Sequence, residues 1–480
     1  MGEHKFTAAM KTAGSAVSNV FRTIGKTFVK GDWKTKVSYL IMGFGSLLRG
    51  AWLRGVALLA VEAAYIAYMV CFGWDYLKEL VVRQYVEKEG VYRYFLGSLD
   101  IIKADRGGLV TQYPSNSFFI LLFSILSLVL TVLFLVVWYL NIVENKNEED
   151  LLARGKRLPT ASEDIASLLD KNFDKTLLAL PCFGILVFTV VPILFMICIA
   201  FTNYDKEHAF PNARFAWDGL KNFASLLQFG SGTGGFGMTF LKVLAWTLAW
   251  AFLATFLNYF LGMAVAILIN KKGIKFKKMW RTILVVTIAV PQLVSLLYMH
   301  KLFANDGLVN YYLMNWHIID HAIKFWDNPW LSKVLIILIN LWIGIPYLML
   351  VATGLLMNIP EDLYEAARID GANSIQMFFK ITLPYMLFVT GPYLLTQFTG
   401  NINNFNVIYL LNQGEPYSSS LTNKAGHTDL LVTWLYKMTT DTNNYKMAAV
   451  IGIMVFIVVS VISLIVYNFL PSVKDEEGFQ

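Results

Sequence analysis

Between two long apolar runs stands EAARIDGANSIQMFFKITLP, Glu365–Pro384. It is helix-prone, modestly charged and interrupted by a single glycine, Gly371. The runs on either side, Leu331–Leu355 and Tyr385–Leu411, are each long enough to cross a hydrocarbon layer of about 30 Å at a helical rise of about 1.5 Å per residue. Similar blocks recur at Gly55–Phe72, Phe118–Leu140, Thr176–Phe201, Val243–Ile269, Thr282–Phe303 and Met447–Leu470. A backbone inside lipid must satisfy its own hydrogen bonds, so these blocks are expected to be helices. The chain therefore reads as an all-α integral membrane protein with about eight transmembrane helices.

Composition agrees. Of 480 residues 56% are hydrophobic and only 15% charged, against about 25% for soluble domains. Mean hydropathy is +0.53. Nine Lys/Arg residues precede the first span, from Lys5 to Arg54, and the turn after the fourth reads NKKGIKFKKMWR, whereas residues 304–330 carry one, Lys324. The excess of cytoplasmic Lys and Arg in membrane proteins then puts both termini, 141–175, 270–281 and 357–384 inside the cell. Residues 73–117 carry six basic and six acidic residues and give no orientation. The net charge of +7 reads as topology and attraction to anionic lipid, with no nucleic-acid partner. Cys71, Cys182 and Cys198 fall in or beside spans and imply no disulfide framework. No cleavable signal peptide is expected, because the first thirty or so residues lack a continuous apolar core.

The opening stretch has its own local logic. Pro360 suits a first helical turn, and Glu361 and Asp362 favour its positive end. Leu363–Asp370 continue the helix, and Gly371 permits the left-handed turn that stops it. A second short helix is expected from about Ser374, capped by its own hydroxyl, to Lys380, with Pro384 opening the next span. Ala366 and Ala367 allow close approach of another backbone, and Glu365 and Arg368 offer charge pairs. A knob that docks into a soluble partner and a connector resting on lipid both fit these residues.

Elsewhere, Phe6, Met10, Ala13, Val17, Val20, Phe21, Ile24 and Phe28 recur at helical spacing with basic residues between them, which suits a helix on the inner leaflet or a solvated one. GSGTGGFG, Gly230–Gly237, reads as a flexible tip. Gly25-Lys26-Thr27 lacks the first glycine of a phosphate loop, since Val20 stands there. His317 and His321 are spaced like zinc ligands on a helix but have no obvious third ligand, so no metal is expected. Glu62 sits mid-span and reads as a buried structural carboxyl or, in the rival reading, as an ion-linked group of a secondary transporter.

The loop is similar in detail to a known signature. E-A-A-x-x-x-G-x9-I-x-L-P, filled by Glu365, Ala366, Ala367, Gly371, Ile381, Leu383 and Pro384, resembles the coupling loop of permease subunits of binding-protein-dependent ABC importers. AFTNYD (Ala200–Asp205), INLWIGIPYLML (Ile339–Leu350) and NINNFNVIYLL (Asn401–Leu411) look like the larger permease subunit of maltose/maltodextrin importers. The resemblance implies a six-span ABC importer permease core over 176–470, preceded by a basic segment (1–54), two additional spans (55–143) and a cytoplasmic linker (144–175), and followed by a tail (471–480). It implies that the loop 357–384, with Arg368 beside Glu365, docks in a cytoplasmic ATPase. It also implies a second, smaller permease subunit, two ATPase subunits and an extracellular or periplasmic solute-binding protein, in a bacterial cell membrane. ATP and Mg would be used by the ATPase, no cofactor would be bound by this chain, and the chain would be a transport subunit and no enzyme.

A sugar path needs polar groups inside the bundle and aromatic faces for pyranose rings. Asn340, Gly344 and Tyr347, spaced i, i+4, i+7, share one helical face, and Asn401 and Asn404 share another if that segment is helical. An Asn in a span costs roughly a few kcal/mol unless it is hydrogen-bonded; Gly344 would open room for a ring and Tyr347 stack on it. Glue between helices is the bland reading of the same residues. The resemblance implies direct sugar contacts at these positions. It departs at IAVPQLVS, where Pro291 is kept but Ile288 replaces a family tyrosine and Gln292, also a candidate contact, a family serine. The external segment between spans three and four is short, where the enteric maltose subunit has a large folded domain. The expected cargo is an oligosaccharide such as maltose or maltodextrin, with another glycan or polyol as the near alternative, and an ion-coupled carrier or a His317/His321 enzyme as remoter ones.

Overall fold

A computed structural model describes residue 15 and residues 18–86, 91–97, 100–103, 109–112, 116–209, 214–229, 235–271 and 273–469. The first part of the amphipathic stretch, including Phe6, Met10, Ala13 and Val17, lies outside the described residues, as does the tail 471–480. Helix α1 covers 18–30 and leaves Phe21 and Phe28 exposed.

Among the described residues, seven helices are long and apolar enough to cross a membrane: α2 (Trp52–Glu79), α3 (Ser117–Ala153), α4 (Phe173–Ala200), α5 (Phe236–Asn270), α8 (Pro329–Leu356), the run Ser374–Asn412, and α12 (Tyr445–Phe469). A bent pair, α6 (Lys277–Ala289) and α7 (Gln292–Leu302), passes the same test only when its halves are taken together, and makes the count eight if it is one span. The expected span Thr282–Phe303 is thus two half-helices meeting at 93°. Pro291 has no N–H to continue the ladder, and its ring pushes Val290 into extended backbone (φ −80°, ψ 126°). The run Ser374–Asn412 is interrupted too: α10 (Leu383–Ile402) ends two residues before α11 (Phe405–Asn412).

Two compact units are present, Met1–Cys198 with Glu207–Trp217, and Ile199–Lys206 with Asp218–Gln480. The first holds a buried polar cluster. Arg49, 2% exposed at its side chain, donates to Asp32 Oδ1 (2.6 Å), Thr35 Oγ1 (2.6 Å) and Asn145 Oδ1 (3.0 Å). Arg54 pairs with Asp164 at 2.6 Å and with Glu144, and the buried Glu148 lies 3.9 Å from both guanidinium groups. The acidic run after span two is therefore a helical extension of α3 whose charges are paired rather than solvated. Glu62, expected as a buried structural carboxyl, is half-buried, and its Oε2 accepts the Met42 N–H at 2.7 Å. Arg49→Met is expected to lower stability by about 3 kcal/mol, since it strands buried carboxylates; a thermal midpoint within a degree or so of the parent would contradict this.

The segment 80–112 departs from pure helix. Strands β1 (Val82–Val86) and β2 (Val91–Phe95) form an antiparallel hairpin with Tyr85 opposite Tyr92, and β3 (Asp100–Lys103) pairs with β4 (Leu109–Gln112). Residues 215–217 add to β2: Leu96 N donates to Phe215 O (3.0 Å), and Trp217 N to Tyr94 O (2.8 Å). Phe215 and Leu96 are fully buried there. Alternating Val/Tyr/Phe with charged residues suits a half-buried strand, a period overlooked in a chain dominated by apolar helices.

The second unit packs α5 against α8. Gly262 allows this, because a Cβ there would sit 2.7 Å from Leu348 Cβ. Gly235–Gly237, expected in a flexible tip, instead start α5, and a Cβ on Gly237 would meet Leu226 O at 2.3 Å. Residues 230–234 of that stretch are outside the described residues. Two apolar clusters form the core: Trp250, Leu296, Ile336, Ile408 and Leu411 with their neighbours, and Tyr259, Met263, Met349, Met386 and Leu394 with theirs.

Candidate functional site

Between these clusters lies a polar cavity of about 190 Å³, whose wall includes Ala254 of the first and Leu394 of the second. All six sequence-predicted contacts, Gln292, Asn340, Gly344, Tyr347, Asn401 and Asn404, line it. The reason is helical phase plus two breaks. Asn340, Gly344 and Tyr347 share one face of α8. Gln292 is the first residue of α7, and Asn404 is the N-cap of α11, its Oδ1 accepting from Val407 N at 3.3 Å. Both broken spans thus begin their second halves at the cavity. Non-helical backbone at membrane depth is tolerated where it is buried in protein or lines a polar space.

Four further polar residues line it that were not singled out beforehand: Thr255 and Asn258 from α5, and Tyr393 and Gln397 from α10. Tyr393, Gln397, Asn401 and Asn404 run i, i+4, i+8, i+11, so helical spacing extended back from Asn401 would have found the first two. Asn258 is a lone Asn in an apolar span, the same signal that marked Asn340. Hydrogen bonds order part of the wall: Asn404 Nδ2 donates to Asn401 Oδ1 (3.3 Å), and Asn401 Nδ2 to Thr255 Oγ1 (3.0 Å). Among the described lining residues none is charged. The expectation that Gly344 opens room for a sugar ring needs revision in this conformation. A Cβ on Gly344 would meet the Asn258 side chain at 2.6–2.8 Å, so the notch is occupied by that amide.

The second candidate region is the knob. Helix α9 (Glu361–Ile369) starts after Pro360 with Glu361 and Asp362 in its first turn. It ends where Ala372 N reaches Ala367 O (2.9 Å) across Gly371 at φ +80°, as its sequence required. The next turn, Ser374–Met377, is capped by Asn373 instead of Ser374: Asn373 Oδ1 accepts from Gln376 N (2.8 Å) and Gln376 Oε1 from Asn373 N (2.9 Å). It does not stop at Lys380 but runs through a wide turn, Phe378–Thr382, into α10. Tyr364 hydroxyl bonds Thr382 Oγ1 at 2.8 Å, fixing the knob to the base of that span. Glu365, Ala366 and Arg368 are exposed, Ala367 is partly covered, and Leu363 and Ile369 stand out at 49% and 86% exposure. Ile381, Leu383 and Pro384 lie at the span base, with Leu383 against the second core cluster. The motif thus divides into an accessible apolar-and-charged tip and an anchored root. Among the described residues no group of three or more His, Cys, Asp and Glu could hold a metal ion, so His317 and His321 are not brought into one.

Residues 258–474 match the family described as binding-protein-dependent transport system inner membrane component. The chain is 33% identical over 462 residues to the maltodextrin transport system permease protein MdxF of Bacillus subtilis, covering 94% of this chain and 98% of that one. It is 34% identical over 440 residues to the galactooligosaccharides transport system permease protein GanP of the same organism, covering 91% and 97%. Among solved structures, a bacterial ABC transporter involved in import of the acidic polysaccharide alginate shares the fold, with TM-score 0.51 at 22% identity over 65% of this chain and 99% of that chain.

Proposed function

Because this chain belongs to the membrane-spanning permease subunits of binding-protein-dependent sugar ABC importers, we propose that its cargo is a neutral oligosaccharide of the α-glucan type, maltose or maltodextrin. The chain is a multi-pass membrane transport subunit and not an enzyme. One observation carries the cargo reading: the cavity wall offers amides, hydroxyls and two tyrosine rings, drawn from α5, α8 and both broken spans, and contains no charged side chain among its described residues. Such a wall suits uncharged hydroxyl-rich rings, whose bonds are neutral donors and acceptors, and offers no counter-ion to a uronic acid. MdxF favours an α-glucan; the equal similarity to GanP favours a galactooligosaccharide as the second reading.

The cavity, about 190 Å³, is below the roughly 300–1,000 Å³ of a complete small-molecule site. That supports a path shared with a second, smaller permease subunit. Two ATPase subunits would take up ATP and Mg, and closing on ATP would draw the knob at Glu365 and turn the bundle outward. A solute-binding protein outside the cell would then pass sugar to Asn340, Tyr347, Asn401 and Asn404, with Gln292 and Gly344 shaping the passage. Both termini are assigned to the cytoplasm from the basic turns. The test is ATP turnover by the assembled importer with its binding protein across a panel of maltodextrins, galactooligosaccharides and polyuronates. Stimulation of about tenfold by maltodextrins alone is the expected result; stimulation by galactooligosaccharides alone would replace the first reading with the second, and stimulation by polyuronates would end both.

A further inference from the structure

Asn258 is 6% exposed, and its Oδ1 is buried with no hydrogen-bond partner. The orientation of the amide is settled by chemistry. Its nitrogen faces Ala254 O at 2.8 Å, and a carbonyl oxygen can only accept, so the NH2 end must lie there. The acceptor end is left over Gly344, 2.6 Å from where a Cβ would stand. A buried carbonyl without a donor costs free energy for as long as it stays so. Its surroundings supply no obvious relief: the Asn401 amide is directed to Thr255, and the Asn404 amide to Asn401.

We propose that Asn258 is a sugar-recognition residue of the transport path, with its Oδ1 accepting a substrate hydroxyl when α5 and α8 separate at Gly344. This rests on the neutral-oligosaccharide reading above. The arrangement makes the sugar-free, closed cavity slightly uncomfortable and returns that cost when a hydroxyl arrives. Gly344 has a part in it: any side chain there would hold the amide away from the path. A sugar is the fitting donor because every ring carries hydroxyls able to donate while accepting from neighbouring amides.

The test uses the whole importer in vesicles, with ATPase and binding protein present, and maltotriose, galactotriose and singly deoxygenated forms of whichever is imported. Asn258→Leu, close in volume but without an acceptor, is expected to reduce uptake about tenfold at subsaturating sugar, the loss of one neutral hydrogen bond. One deoxy analogue should be a poor substrate for the parent yet no worse than the full sugar for Asn258→Leu. The sugar-free complex of Asn258→Leu should unfold at an equal or higher temperature, because an orphaned acceptor has been removed. Asn258→Asp, which keeps acceptor oxygens, should restore the parent's discrimination among the deoxy sugars. Uptake and thermal midpoint falling together, or identical deoxy profiles in parent and Asn258→Leu, would reduce Asn258 to packing and overturn the inference alone. A parent importer that carries neither trisaccharide would overturn the cargo reading and this inference with it.

Discussion

Replacing Glu365 with arginine is expected to cut sugar uptake at least roughly 1,000-fold while leaving the permease folded in the membrane. The helix itself should tolerate the change. Glu365 is exposed, arginine is a good helix former, and Glu361 one turn earlier would gain an i,i+4 partner of opposite charge. The knob would keep its shape, since Pro360, Gly371 and the Tyr364–Thr382 hydrogen bond define it. What changes is the tip that, on the proposed docking, meets the ATPase. Loss of one charge pair at a docked interface costs about 2–5 kcal/mol, and reversal adds like-charge repulsion. Uptake and ATPase co-purification, measured on the same membranes, separate docking from folding. Uptake within threefold of the parent would remove Glu365 from the coupling surface.

Gly344→Leu is the second large effect. Its Cβ would lie 2.6 Å from Asn258 Oδ1, 2.7 Å from Cγ and 2.8 Å from Nδ2. In the sugar-free packing α5 and α8 are also in close contact at Gly262, where a Cβ would be 2.7 Å from Leu348 Cβ, so the added side chain meets a tight interface. Overpacking of this kind costs about 1–3 kcal/mol, tolerable for a large membrane protein. The branched side chain would meanwhile fill much of a cavity of about 190 Å³. The expected outcome is uptake reduced by about three orders of magnitude with the ATPase still bound. Near-normal uptake by Gly344→Leu would mean that cargo crosses elsewhere.

What could be read from residues alone divides by the range of the physics. Span positions were legible because hydrocarbon imposes length and apolarity on each helix separately. The knob was legible because Pro360, Glu361, Asp362 and Gly371 act on their own turns; its partner is only what the resemblance implies. The six candidate contacts fall together because helical phase and the breaks at Pro291 and Asn403 are local, and all six line one cavity. The 93° bend was not legible: Pro291 announces a break, but the angle is set by what packs on either side. The cap falls on Asn373, one residue before Ser374, because adjacent Asn and Ser cap about equally well and the choice between them is made by the chain's path. A glycine such as Gly344 suggests room for a ring, but only the fold reveals that Asn258 on another helix already occupies the space. The hairpins were hidden by the expectation of helix throughout.

The edge-on pairing of residues 215–217 with β2 has a practical corollary for anyone seeking a minimal version of this permease. Trimming the chain to six crossings by discarding everything before the third would strip the fully buried Phe215 of Leu96, leaving Phe215 O without its donor and the Trp217 N–H without its acceptor. Such a bare ribbon edge invites self-association, so a shortened protein is expected to clump unless the hairpin at 82–95 travels with it.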